Sequence, residues 1–187
     1  MELIATELAE VLLARPVARA DDRGEIRFVW NAVVWAGAGL PATFLLENHI
    51  TSRQWVLRGI HRQMSAPQGK LVRCLIGRVF DVAVDLRPES TRFGRWVGRE
   101  LTGQGGDALW VPPGFGHGML ALTEGAVISI QATAPAVPGD EATLSWDDPE
   151  VGILWPLSPS GRPILSARDR SGDCLASFRQ PIRPSQS

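Results

Sequence analysis

Tyrosine is absent from all 187 positions, so no phenol can serve as a proton donor or a buried hydroxyl anchor anywhere in this chain. Cysteine is nearly absent. Cys74 and Cys174 alone make no disulfide framework and have no zinc spacing. Cys74 stands inside an apolar, strand-like run, where a buried free thiol is the expectation. Long apolar runs are missing too: Ala32–Ala42 and Gly118–Leu122 are among the longest, and both are far too short to span a bilayer. Charge of one sign is also lacking. The formal net charge is −1 and the basic residues are scattered, not striped, which argues against a nucleic-acid surface. Glu2 and Glu7 stand where a secretion signal carries positive charge, so the expectation is a cytoplasmic protein.

What is present reads mostly as strand. Arg78–Leu86 alternates, with Phe80, Val82, Val84 and Leu86 on one face and Asp81, Ala83 and Asp85 on the other, the period of a half-buried strand. Short apolar runs recur at Thr43–Leu46, Gln54–Leu57, Leu71–Ile76, Ala108–Val111, Met119–Leu122 and Ala126–Ala132, most of them bounded by Gly, Pro, Asp or Ser. Helix is marginal, confined to Glu7–Ala14 and the Asp147–Gly152 turn. Many short strands without a long helical period predict an all-β sandwich or barrel-like jelly roll. The length suits one domain over residues 1–180, large enough to bury a substantial core, followed by a loosely held polar tail at 181–187.

Only three histidines occur, and two of them lie in runs dense in Gly, Arg and Pro: His61 in Leu57-Arg58-Gly59-Ile60-His61, and His117 in Pro112-Pro113-Gly114-Phe115-Gly116-His117. These are rare neutral-pH bases and point to proton-transfer chemistry. Strict alternation puts Arg58 and His61 on opposite faces, whereas a bulge at Gly59 turns both toward one cavity. Pro112, Gly114 and His117 fit half of the metal-cupin pattern. The other half, two histidines one residue apart with a nearby glutamate, is missing, so no metal and no cofactor are expected. His49, beside Asn48, reads as a satisfied polar residue near a strand end. The Trp residues read as packing groups, with Trp30, Trp35 and Trp55 also able to stack on a base. Asp147 and Asp148 before Pro149 read as a turn.

Taken in order, Leu57–His61, Gly69–Arg73, Val79–Asp85, Phe93–Gly98, Leu109–Pro112, Gly114–Gly118 and Trp146–Pro149 carry a resemblance that runs from about Glu7 to Asp169. The chain resembles the dTDP-4-dehydrorhamnose 3,5-epimerase family, which implies a cupin-like jelly roll and a metal-free sugar-nucleotide epimerase. The resemblance implies that His61 is the general base and that Asp169, in Leu165-Ser166-Ala167-Arg168-Asp169, orients it and raises its basicity. It implies that Lys70 stabilises an enolate oxygen, and that Arg58, His117 and Asn48 line the substrate cavity. Arg23 is implied to reach the nucleotide, often across a homodimer interface. The chemistry is abstraction of a weakly acidic proton beside a C4 ketone, followed by reprotonation from the other face.

The resemblance fails at one end of the pocket. The family's opposing acid is a tyrosine in the strand and turn before Trp-Asp-Asp-Pro, and the corresponding Ile128–Val137 has none. Arg62 replaces an aromatic after the base, Leu46 replaces a glutamine, and Ile26 and Phe28 replace an aromatic and a glutamate. Three readings stay open. The first is epimerisation with water, Ser129, Thr133 or a shifted group as donor. The second is another isomerisation, cyclisation or elimination using the His-Asp-Lys set, and the third is a non-catalytic binding protein.

Overall fold

The computed structural model describes residues 1–179, so the tail expected at 181–187 lies outside the described residues. Thirteen strands form among them: β1 (Glu2–Ala5), β2 (Leu12–Arg15), β3 (Val17–Asp21), β4 (Gly24–Phe28), β5 (Leu46–Ser52), β6 (Leu57–Gln63), β7 (Lys70–Ile76), β8 (Arg78–Asp85), β9 (Trp96–Thr102), β10 (Ala108–Val111), β11 (Phe115–Ala121), β12 (Ala126–Ala132) and β13 (Glu141–Thr143). Among the described residues helix is limited to α1 (Ala32–Gly37), α2 (Ala167–Arg170) and a 3₁₀ turn at Leu175–Arg179. One sheet runs β1-β2-β10-β7-β12-β5 and the other β13-β6-β11-β8-β9, while β3 and β4, among the described residues, pair only with each other. The non-sequential strand order and antiparallel ladders are those of the expected cupin-like jelly roll.

Three apolar clusters explain why the sheets stack. Val72, Cys74, Val79, Ala83, Leu109, Phe115, Met119 and Ile128 pack between the two sheets. The outer face of the five-stranded sheet, carrying Ile60, Val82, Val84 and Leu120, is covered by Leu144, Trp155, Leu175 and Phe178. The outer face of the six-stranded sheet holds Leu71 and Trp110 against Trp35, with Trp30 and Phe44 in tilted and edge contacts 5.0–6.4 Å between ring centroids. Both sheets are therefore buried on both faces.

That double burial corrects the reading of β8. Phe80, Val82 and Val84 pack outward against the covering layer, whereas Asp81 and Ala83 point between the sheets and are fully buried. Two strand runs are also displaced: Thr43–Leu46 is mostly irregular before β5, and Gln54–Leu57 is largely a turn before β6. Glu7–Ala14 is a turn followed by β2, because Leu8 and Val11 are drawn into the inter-sheet core and Leu12–Ala14 pair with β10. Helix forms instead at Ala32, where the Asn31 side chain accepts from the Val33 and Val34 amides and Trp35 anchors the turn in the core. Asp147–Gly152 is a turn, with buried Asp148 accepting from the amides of Glu150, Val151 and Leu175. Trp30 and Trp35 pack in the core cluster beside Trp110, and Trp55 packs against the outer layer of the five-stranded sheet.

Candidate active site

A cavity of about 700 Å³ opens between the sheets at one end of the sandwich, within the size range of small-molecule sites. The five-stranded sheet contributes Arg58, His61, Gln63, His117 and Met119, and the six-stranded sheet faces them with Asn48 and Lys70. Ser166 and Asp169 enter from α2 and its cap, and Glu141 from β13.

Gly59 decides which side chains of β6 reach this space. The register of β6 against β11 slips between His117 and Met119, so Arg58 and His61 both face the cavity while Leu57 and Ile60 both face the outer layer. Only glycine fits there. Its φ is +110°, and a Cβ would lie 2.6 Å from the Gly118 Cα and from the His117 carbonyl oxygen. The bulge read from the sequence is thus present, and it brings Arg58 and His61 together.

His61 donates from Nε2 to Asp169 Oδ1 at 2.6 Å. Asp169 is buried and held from its other side, where the Ser166 hydroxyl donates to Oδ2 at 2.7 Å. The Ser166 side chain also accepts from the Asp169 amide and caps α2, which fixes the carboxylate in the chain's local geometry. With its proton placed on Nε2, the ring keeps the Nδ1 lone pair for accepting another. Glu141 Oε1 lies 3.6 Å from Nδ1. Burial outweighs the rise in basicity that Asp169, as expected, gives His61 through its charge and hydrogen bond. Burial drives the pKa below the ordinary histidine value, and the carboxylates of Glu141 and Asp169 offset only part of that. The neutral ring, the form a base needs, is favoured.

Lys70 is also buried, and desolvation lowers its pKa, with Glu141 partly opposing. Glu141 is held in turn by Arg168, whose guanidinium lies 2.7 Å from Oε2 and donates to Thr143 Oγ1 at 3.0 Å. Sequence reasoning missed Glu141. The signal for it was register: β13 pairs with β6, Thr143 stands opposite His61, and Glu141 opposite Gln63.

His117 is opposite His61 on the neighbouring strand and donates from Nε2 to Asp81 Oδ1 at 2.8 Å. Asp81 is fully buried, its pKa is pushed up by desolvation, and its second oxygen has no partner among the described residues. His49 lies elsewhere, exposed and 3.2 Å from Glu47. Among the described residues, no group of three or more His, Cys, Asp or Glu side chains is placed to hold a metal ion.

One expectation for this site fails. Ser129 and Thr133 are not cavity residues. Ile130 and Ala132 of β12 face the cavity, so alternation turns Ser129 away, to donate to Glu47 at 2.7 Å, and Thr133 accepts from the Gly69 amide at 2.9 Å. Arg23 is also outside the cavity. It sits at the tip of the β3–β4 hairpin, exposed and 2.6 Å from Asp21. Leu46 and Asn48, by contrast, both line the cavity.

Comparison with known proteins matches residues 5–177 to the dTDP-4-dehydrorhamnose 3,5-epimerase family model. The chain is 43% identical to the dTDP-4-dehydrorhamnose 3,5-epimerase of Pseudomonas aeruginosa, over 92% of this chain and 96% of that protein. It superimposes on the crystal structure of dTDP-4-dehydrorhamnose 3,5-epimerase from Elizabethkingia anophelis with a TM-score of 0.90 at 34% identity, covering 96% and 99% of the two chains. It is similarly close to the Legionella pneumophila dTDP-6-deoxy-D-glucose-3,5-epimerase in complex with dTDP-4-keto-L-rhamnose, with a TM-score of 0.89, 34% identity, and coverage of 98% and 99%.

Proposed function

The chain belongs to the dTDP-4-dehydrorhamnose 3,5-epimerase family and is an epimerase of a nucleotide-linked 4-keto-6-deoxy sugar, in which we propose that His61 is the base, Asp169 its orienting partner and Lys70 the cation at the enolate oxygen. The observation that carries this assignment is the hydrogen bond from His61 Nε2 to buried Asp169 at the mouth of a cavity that also holds Lys70. A proton beside the C4 ketone passes to His61 Nδ1, and the charge that develops on the ketone oxygen is met by the buried ammonium. Arg58, Asn48 and His117 line the sugar's surroundings. Arg58 is itself steadied by donation to Ser52 Oγ at 3.1 Å.

Arg23 belongs in this reading to a homodimer. Among the described residues the β3–β4 hairpin pairs with no other strand, and Val17, Ile26 and Phe28 are exposed on it. Docking that apolar ribbon on a second copy carries Arg23 toward the partner's nucleotide phosphates. Residues 1–180 form one domain in this reading. A cytoplasmic setting suits the two free thiols, Cys74 buried and Cys174 exposed.

Incubation with dTDP-4-keto-6-deoxyglucose in heavy water tests the function. Deuterium at C3 or C5 together with inverted product is expected. Recovery of unlabelled, uninverted substrate sinks the epimerase reading. Phe28→Asp is expected to halve the mass measured by light scattering, and an unchanged mass would remove the hairpin from the interface.

A further inference from the structure

We propose that Lys70 supplies the second proton: its ammonium is the acid that reprotonates the enolate on the face opposite His61. The inference rests on the epimerase reading and adds the donor that a tyrosine-free chain must find elsewhere.

Topology narrows the choice first. The substrate lies between two sheets, so a donor opposite His61 comes from the six-stranded one. Its side chains at the cavity are Leu46, Asn48, Ile50, Lys70, Ile130 and Ala132, and of these Lys70 is the group that ionises. The segment Ala136–Gly139, which also lines the cavity, is apolar or glycine. His117 does not qualify: it is the register partner of His61 on the adjacent strand, so both imidazoles approach from one sheet. The hydroxyls of Ser129 and Thr133 are committed outside the cavity.

Composition adds an independent argument. Lys70 is the single lysine in a chain that uses arginine at 18 positions. Arginine binds an anionic oxygen at least as well as lysine does, but it does not release a proton near neutral pH, whereas a buried lysine can. A purely electrostatic role would be met by the residue this chain uses everywhere else.

The protons balance. His61 Nδ1 takes the proton of the C–H bond, whose electron pair becomes the enolate, and the ring becomes imidazolium. An N–H bond of Lys70 then breaks, the enolate pair forms the new C–H bond on the opposite face, and ketone and neutral amine result. Returning the catalyst to its starting state moves one proton from imidazolium to amine. Glu141 is placed for that return: it lies 3.6 Å from His61 Nδ1, and its charge is felt by Lys70. The charged and titratable groups that share the cavity with Lys70 are Glu141 from β13, Arg168 and Asp169 from α2, Arg58 and His61 from β6, and His117 from β11, while its strand partners Val111 and Ala132 are uncharged.

The full-length protein tests this with dTDP-4-keto-6-deoxyglucose in heavy water, scoring inversion and deuterium exchange separately. Lys70→Arg keeps the cation and removes the donor. Inversion is expected to fall by about 10²–10⁴-fold while exchange with retained configuration persists. Inversion by the unaltered protein is expected to decline at high pH, as Lys70 loses its proton, with exchange declining less. Lys70→Arg inverting within tenfold of the unaltered protein overturns the proposal and makes solvent the donor. If Lys70→Arg fails to fold, a ratio of inversion to exchange in the unaltered protein that stays flat with rising pH overturns it equally. An unaltered protein that neither exchanges nor inverts instead removes the epimerase reading itself.

Discussion

His61 and His117 stand opposite each other on neighbouring strands, and each donates a hydrogen bond from Nε2 to a carboxylate oxygen, yet the two pairs are built differently. Asp81 lies within β8, so the His117 pair spans a sheet ladder, with side chains 7% and 0% exposed. Asp169 comes from a four-residue helix more than a hundred positions away in sequence, and the His61 side chain keeps 23% exposure. The sheet-borne pair is locked by the same backbone bonds that hold the core. The helix-borne pair is set by one capped turn and remains open to a ligand. A buried pair of this kind is costly to break and slow to respond, which suits a wall of the cavity. An open pair with its free nitrogen in the cavity suits proton transfer.

Substitutions can break that comparison. His61→Asn should lower kcat/KM by about 10⁴-fold, the upper range for a proton-transfer group, with the denaturant midpoint nearly unchanged; retained activity would make the two histidines equivalent. Asp81→Ala should do the reverse, lowering stability by about 3–5 kcal/mol in urea titration, because it strands His117 and opens a hole between the sheets. A loss below 1 kcal/mol would contradict the wall role. Asp169→Asn should reduce kcat by about 10²-fold, near the lower limit for such groups. Its pH profile sharpens the contrast. Burial lowers the His61 pKa and Asp169 partly restores it, so activity is lost as pH falls through a value below that of an ordinary histidine. Removing the carboxylate should move that acid limb to still lower pH. An unmoved limb would show that another group controls it.

The contrast also shows where sequence was legible. His61, Asp169 and Lys70 could be placed by motif, and the structure gathers them around one cavity. The role of Asp81 could not, because period-two alternation puts charge on the solvent side, and only a strand covered on both faces turns it inward. The β10 and β12 ranges were readable because both are short apolar runs bounded by turns. Strand β2 was not, since Glu7–Ala14 has helical composition and its strand state depends on pairing with β10, far away in sequence. Glu141 was invisible for a related reason: nothing local marks it, and its position follows from a ladder between β13 and β6.

The slip at Gly59 gives β6 two reading frames. Residues before it and residues after it count inside and outside from different origins, so one strand can aim both a guanidinium and an imidazole at the same guest. A side chain at that position would meet backbone on the neighbouring strand, and restoring regular alternation would carry the imidazole out of reach of anything bound in the hollow. The reaction's address is therefore written by a residue that carries no functional group.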